Sequence, residues 1–295
     1  MTAKLLVAKG PLESYEDALR QRVRACEEAG VQPTLAILRV GAQPPDLSYE
    51  RSAIKRAEAL GAAVHVHALP ADATQEQLRA EIDAINGNDA EHGCLMFRPL
   101  PAGLDERDAC ERLLPEKDVD GMGRGALASV FMGEGPGYPP CTADACLHML
   151  DAYGISVAGK RVVVVGRSLV IGRPVALMLL QRNATVTLCH SKTVDLPAVM
   201  RAADIVVCAT GRARAYGSEC FAPGQVVLDV GINFDADGGL CGDVDTDAVA
   251  PVVGALTPVP GGIGSFTTRL LFDHTIQAAE AAIARTRSAA RGAKA

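Results

Sequence analysis

The run Arg161-Val-Val-Val-Val-Gly-Arg-Ser-Leu-Val-Ile-Gly-Arg-Pro174 carries residue types that could hold a phosphate. Val162 to Val165 are β-branched and apolar, the composition of a parallel strand covered on both faces. Gly166 permits a sharp turn after that strand. Gly172 lets a following helix approach the sheet, and Pro174 suits a first helical turn, where no donor is lost. The unsatisfied amides of such a helix start attract anions. The spacing G-x-S-x-x-x-G-x-P departs from the commoner G-x-G-x-x-G. By itself the run reads either as a dinucleotide-binding turn or as an ordinary strand–turn–helix of an α/β sheet.

The elements that must position this turn alternate along the chain. Ser14 to Ala29 predicts a helix, with Leu19, Val23 and Cys26 at helical spacing. Thr34 to Val40 predicts a strand, and Ser48 to Leu60 a helix stopped by Gly61. Val64-His-Val-His67 alternates as a strand does, Thr74 to Asn86 is helix-like, and Cys94 to Phe97 is a short apolar strand. A glycine- and proline-rich stretch, Met132 to Pro140, reads as a connection. Beyond it come a helix over Thr142 to Tyr153, the valine strand, and strands at Thr185 to Leu188, Ile205 to Cys208 and Val226 to Val230. A long helix over Leu270 to Ala289 follows, then a basic tail expected to fray. Such alternation predicts an α/β protein whose second part is a Rossmann-like doubly wound parallel sheet.

At 295 residues the chain has room for two domains. Hydrophobic content of 48% and charged content of 22% suit a soluble globular protein. A net charge of −6 favours neither nucleic acid nor an anionic membrane as main partner. No apolar run is long enough for a membrane span or, at the start, for a signal peptide. The scattered cysteines form no C-x-x-C pair, which predicts buried reduced thiols in a cytoplasmic protein. His65 and His67 share a strand face without a carboxylate or cysteine at ligand spacing, so no metal site is expected.

A series of short motifs then accumulates in order. They are Leu35-Ala-Ile-Leu-Arg-Val-Gly41, Pro99-Leu-Pro101, Pro115-Glu-Lys-Asp-Val-Asp-Gly121 and Pro140-Cys-Thr142. After the central glycine turn come His190-Ser-Lys-Thr193, Asp229-Val-Gly-Ile-Asn233, Gly242-Asp-Val244 and Thr257-Pro-Val-Pro-Gly-Gly-Ile-Gly264. Through them the chain resembles the methylenetetrahydrofolate dehydrogenase/cyclohydrolase family. The resemblance implies two α/β domains with a cleft between them, and homodimers formed through the nucleotide-binding domains. It implies a first domain at 1–139, joined by a C-terminal helix at 270–295, and a nucleotide domain at 140–269. It also implies oxidation of 5,10-methylenetetrahydrofolate to the 5,10-methenyl form with NAD(P)⁺. Many members then hydrolyse that product to 10-formyltetrahydrofolate.

Site residues carry over position by position. The resemblance puts Gly166, Arg167 and Ser168, with Gly172, around the cofactor phosphates, and Ser191 and Ile232 near its adenosine and nicotinamide parts. Arg167 and Ser191 are candidates for gripping a 2′-phosphate, which favours NADP, with NAD as the alternative. Asp120 corresponds to the aspartate that contacts the pterin, and Tyr49 to the tyrosine that stacks over it. These two are the catalytic candidates. Pro260, Gly261 and Gly262 would bring backbone close to the folate.

Two positions depart from the family. Its Y-x-x-x-K turn reads Tyr49-Glu-Arg-Ser-Ala53 here, so Ala53 stands where the lysine belongs. Lys55 lies six residues from Tyr49, about 240° round the helix, and cannot replace it. Phe97 stands in place of the glutamine of V-Q-L-P, and strand alternation points Arg98 to the other face. In the family that lysine and glutamine manage water and protons for hydrolysis. A positioned acid–base group contributes roughly 10²–10⁴-fold, so cyclohydrolase activity is expected to be weak or absent while hydride transfer survives. Gly121-Met-Gly123, Ala143 and Ser265-Phe266 also depart from family motifs and are expected around the substrate. A different imine or aminal substrate, and a catalytically silent nucleotide-binding protein, are the alternatives.

Overall fold

The structure, a computed structural model, describes residues 2–235 and 237–292. In chain order the elements are β1 (Lys4–Leu5), α1 (Lys9–Glu28), β2 (Thr34–Val40), α2 (Pro44–Leu60), β3 (Ala63–Leu69), α3 (Gln75–Gly87) and β4 (Gly93–Met96). There follow α4 (Glu106–Arg112), α5 (Arg124–Met132), α6 (Cys141–Ala152), β5 (Arg161–Val165), α7 (Gly172–Gln181) and β6 (Thr185–Cys189). The chain closes with α8 (Leu196–Arg201), β7 (Ile205–Cys208), β8 (Val226–Asp229), β9 (Asn233–Phe234), β10 (Leu240–Cys241), α9 (Thr246–Val249), β11 (Ala255–Leu256) and α10 (Gly264–Gly292).

Two compact units result: Met1–Glu13 with Pro140–Thr267, and Ser14–Pro139 with Thr268–Ala295. The first contains a six-stranded sheet in the order β1-β11-β8-β7-β5-β6, every pair of it parallel. β5 lies between β6 and β7, so successive connections leave it in opposite directions. That is the topological switch point of a doubly wound sheet, and ligands bind outside the carboxyl ends of the strands there. Val163, Val165, Val206, Cys208, Val227 and Leu256 fill one core of this sheet. Residues at the amino terminus belong to this unit and not to the 1–139 domain, because Lys4 and Leu5 pair with Ala255 and Leu256.

The second unit is built on the parallel sheet β3-β2-β4. On one face Ala36, Leu38 and Val40 join Cys94 and Met96 in a core with Leu78, Ile82 and Ile85 of α3 and Ala109 and Leu113. Strand alternation turns Leu35, Ile37, Arg39, Leu95 and Phe97 to the other face. The right-handed crossovers β2–α2–β3 and β3–α3–β4 run in opposite directions along the sheet, so α2 and α3 cover opposite faces. α2 buries Ala53, Ala57 and Leu60 and ends at Gly61 in the left-handed conformation. It starts four residues before the sequence expectation, at a proline pair that suits a first turn. Thr74 and Gln77 form a reciprocal capping box at the start of α3.

α10 begins at Gly264, ahead of the expected Leu270. The end of the expected tail, residues 293–295, lies outside the described residues. All the cysteines are free thiols, and all but Cys110 are buried. Among the described residues no helix is long and apolar enough to cross a membrane.

Candidate active site

In the six-stranded unit, Val165 pairs with Cys189, so β5 and β6 end level. Arg167 and Ser191 each follow two residues later, and both are exposed. The turn between them needs its glycines. Gly166 has φ +127°, and a Cβ on it would lie 2.1 Å from the Ala209 carbonyl oxygen of the segment after β7. A Cβ on Gly172 would lie 2.0 Å from the Gly166 carbonyl oxygen. The start of α7 therefore closes directly onto the turn. Ser168 Oγ accepts the N–H groups of Ile171 and Gly172 at 3.1 and 3.4 Å. Its side chain thus shapes the loop that leads into α7. A turn this tight beside an exposed arginine fits a dinucleotide pyrophosphate, with Arg167 and Ser191 the residues that would meet its adenosine side.

Ile232, Pro260, Gly261 and Gly262 line one cavity of about 260 Å³ in the same unit. The sequence places them in separate motifs; the fold makes them neighbours. Ile232 is 65% exposed for a large apolar side chain. Its loop stands on a buried pair of aspartates to which sequence reasoning assigned no role. Asp229 accepts N–H groups from Gly231, Asp243 and Val244 at 3.1, 2.9 and 2.9 Å. Burial pushes the Asp229 carboxyl up to about 6, against the opposing pull of those backbone donors. Asp243 in turn accepts the Thr210 hydroxyl at 2.9 Å, the Arg212 N–H at 2.9 Å and Asn233 Nδ2 at 3.0 Å. A Cβ on Gly242 would lie 1.8 Å from Asp229 Oδ2, and one on Gly231 2.2 Å from Asp243 Oδ1. The signal was present: each aspartate stands within two residues of a glycine, Asp229 before Gly231 and Asp243 after Gly242.

In the three-stranded unit, the Tyr49 and Phe97 rings meet edge to face, with centroids 5.7 Å apart and planes at 88°. Phe97 is nearly buried, Tyr49 is 40% exposed and Ala53 is fully buried. Lys55 is exposed. Beside this pair, Arg39 Nε lies 2.8 Å from Glu50 Oε2, and Arg39 Nη1 donates to the Gly41 carbonyl. Sequence reasoning missed this ion pair, which depends on how α2 sits over β2.

Asp118 and Asp120 have different jobs. Asp118 is buried and accepts the N–H groups of Met122 and Gly123 at 3.1 and 2.7 Å. Burial raises its pKa, and those donors oppose the rise. It holds the turn into α5. A Cβ on Gly123 would come within 2.9 Å of the Cys110 carbonyl oxygen, so that departure from the family motif has a packing cause. Asp120 is partly exposed, with Arg98 Nη2 3.9 Å from its Oδ2 and Arg98 Nη1 3.5 Å from Glu106 Oε1. Arg98 shares a small recess with Cys94, Met96 and Asp120, on the side away from Phe97.

Two expectations change. Phe266 does not line a substrate surface; it is buried, with its ring centroid 6.4 Å from that of His148. The first turn of α10 rotates it inward. The strand histidines do have carboxylate partners, supplied by the fold: His65 Nδ1 and His67 Nε2 contact Glu91 Oε1 at 2.9 and 2.8 Å, and His67 Nδ1 contacts Glu81. Burial lowers the pKa of His67, but the two glutamates outweigh it and the net shift is upward.

A doubly wound parallel sheet with a glycine turn at its switch point, in one chain with a smaller parallel unit, defines a two-unit α/β protein of the dinucleotide-binding class. The chain belongs to the tetrahydrofolate dehydrogenase/cyclohydrolase family: the family's catalytic domain matches residues 6–120 and its NAD(P)-binding domain residues 140–283. It is 46% identical over 280 residues to the bifunctional protein FolD of Carboxydothermus hydrogenoformans, covering 94% of this chain and 98% of that one. Among solved structures, it resembles the bifunctional FolD methylenetetrahydrofolate dehydrogenase/cyclohydrolase of Campylobacter jejuni with a TM-score of 0.91 at 34% identity, covering 94% and 99% of the two chains. The Trypanosoma brucei dehydrogenase-cyclohydrolase, solved with NADP and an inhibitor, gives 0.88 at 32% identity, covering 96% and 99%.

Proposed function

We propose that this protein oxidises 5,10-methylenetetrahydrofolate to 5,10-methenyltetrahydrofolate with NADP⁺, and that its cyclohydrolase activity is weak or absent. One observation carries the second half: Phe97 packs on Tyr49, and Ala53, one turn after Tyr49, is buried. Neither side chain can take a proton or orient a water. Hydride transfer asks for less. It needs the nicotinamide against the methylene carbon, in a site that excludes water. When bound, the nicotinamide supplies the hydride acceptor. Gly166, Arg167, Ser168, Gly172 and Ser191 hold the nucleotide, and Ile232 with Pro260, Gly261 and Gly262 meets its reactive end and the folate. Asp120 binds the pterin edge through its carboxylate, and Tyr49 stacks on the ring. The exposed Arg167 and the NADP bound by the Trypanosoma brucei relative support NADP⁺ over NAD⁺. We further propose a homodimer in the cytoplasm as the working form, which is what the family resemblance implies.

The test is purified protein with methylenetetrahydrofolate and NADP⁺. NADPH formation with slow appearance of 10-formyltetrahydrofolate is expected; no NADPH at high enzyme concentration overturns the reading. The same Phe97 ring favours, as a second reading, a smaller imine or aminal. NADP⁺ binding without folate binding would select it.

A further inference from the structure

Leu38 pairs with Met96 across β2 and β4, and Phe97 N–H donates to the Leu38 carbonyl at 2.9 Å. The next residues along, Arg39 and Phe97, therefore sit side by side on the sheet face under α2. Glu50 reaches down from α2 to Arg39, and the two side chains keep only 17% and 14% of their exposure. Arg39 also donates to the carbonyl of Gly41, in the turn that leads to α2. One guanidinium thus ties the strand end, the glycine turn and the helix residue directly after Tyr49. Glu50 and Ala53, three apart, are neighbours on the helix surface. The ion pair consequently lies beside the helix position where the family resemblance calls for an ammonium.

We propose that Arg39, acting through Glu50 and Gly41, is a positioning residue that holds the Tyr49 ring against Phe97 at the orientation needed to stack on the folate ring. Paired with Glu50, it restores no net charge near residue 53, and it brings no acid–base chemistry, because a guanidinium does not give up its proton in a protein. Arginine suits the task better than lysine: its rigid fork bonds a carboxylate and a carbonyl at once, where an ammonium is a point charge on a flexible stem. The inference rests on the folate reading above.

The test compares KM and kcat in the full-length protein. Arg39→Met is expected to raise KM for methylenetetrahydrofolate about tenfold, the scale of a lost charge-assisted hydrogen bond, while kcat and KM for NADP⁺ change little. Arg39→Lys should recover part of that loss. The pair Arg39→Met with Glu50→Leu leaves no lone buried charge. It should restore the melting temperature yet keep the raised folate KM. If the double variant returns the folate KM to the wild-type value, or if in Arg39→Met both KM values rise while kcat falls, the role is structural only and the proposal fails. Should the double variant not fold, Glu50→Gln reads the same KM by the same criteria. Wild-type protein that makes no NADPH from methylenetetrahydrofolate sinks the folate reading together with this inference. Wild-type turnover with an unchanged folate KM in Arg39→Met sinks this inference alone.

Discussion

The ring of Tyr49 stands perpendicular to that of Phe97, 5.7 Å away between centroids. This edge-to-face geometry is a favourable one for two aromatic rings and is worth roughly 0.5–1.5 kcal/mol beyond burial. Tyr49 keeps 40% of its exposure in this arrangement. An amide in place of Phe97 would offer hydrogen bonds at this point; phenylalanine offers only surface. The expected consequence is a site that orients a flat ring well and handles water poorly. Phe97→Ala should therefore raise the folate KM several-fold through loss of Tyr49 support, and steady-state kinetics with saturating NADP⁺ would measure it. An unchanged KM would show that the two rings do not work together.

Arg167 is exposed at the end of β5, level with Ser191 at the end of β6. If it grips the 2′-phosphate, Arg167→Gln removes a charge-assisted contact worth about 1.5–3 kcal/mol, or roughly 10–100-fold in NADP⁺ affinity. NAD⁺ affinity should hardly move, because NAD⁺ lacks that phosphate. Titration with both nucleotides checks it. Equal weakening of the two would place Arg167 elsewhere on the cofactor.

Gly172→Ala tests the turn itself. The added methyl would lie 2.0 Å from the Gly166 carbonyl oxygen, a backbone atom that cannot step aside. α7 must then move off the turn, so nucleotide binding should fall below detection by calorimetry while folate-analogue binding persists. Normal NADP⁺ binding by this variant would mean that the helix start does not form the phosphate site.

Asp229 gives a pH signature. Its folded pKa is about 6, above the ordinary carboxylate value of 3.8, because burial disfavours the charge. Between about pH 4 and pH 6 the folded protein holds a proton that the unfolded chain has released. Stability from this group is therefore fullest below about pH 4 and is lost as pH rises through about 6, by at most about 3 kcal/mol. Carbonyl NMR of labelled aspartate should find a midpoint near 6 that shifts no other signal in the three-stranded unit. A midpoint near 4 would mean that the backbone donors dominate burial.

What could be read from the chain follows from the range of the interactions. The valine run of β5 and the glycines after it announce themselves locally, because strand and turn depend on adjacent residues. α4 and α5 do not: seven and nine residues long, they are too short for an apolar period to emerge. β1 escapes notice because a two-residue strand has no pattern, and its partner β11 lies some 250 residues on. Among the site candidates, the family resemblance picks out Tyr49, Ala53, Phe97 and Asp120. The Arg39–Glu50 bond depends on helix placement over the sheet, and the glutamates around His67 come from α3 and from the loop before β4, none of which a local pattern encodes. Phe266 reads as a substrate residue by its place in a motif, and only the rotation of α10 turns it inward.

The lysine and glutamine that the family resemblance calls for can be introduced. Ala53 is fully buried, so Ala53→Lys alone has to force a long side chain past well-packed neighbours, and overpacking of this kind costs about 1–3 kcal/mol. Phe97→Gln frees volume on the sheet face that α2 covers and supplies the polar group. The two changes should therefore couple: the double variant is expected to be more stable than the sum of the single effects, by about 0.5–3 kcal/mol in a double-mutant cycle. It should also hydrolyse methenyltetrahydrofolate measurably faster than background, whereas each single variant should not, because lysine and glutamine act on the same water. Urea unfolding measures the first expectation and loss of methenyl absorbance the second. Additive stabilities with background hydrolysis, in a double variant that still binds folate and reduces NADP⁺, would show that Ala53 and Phe97 are not what keeps water chemistry out of this site.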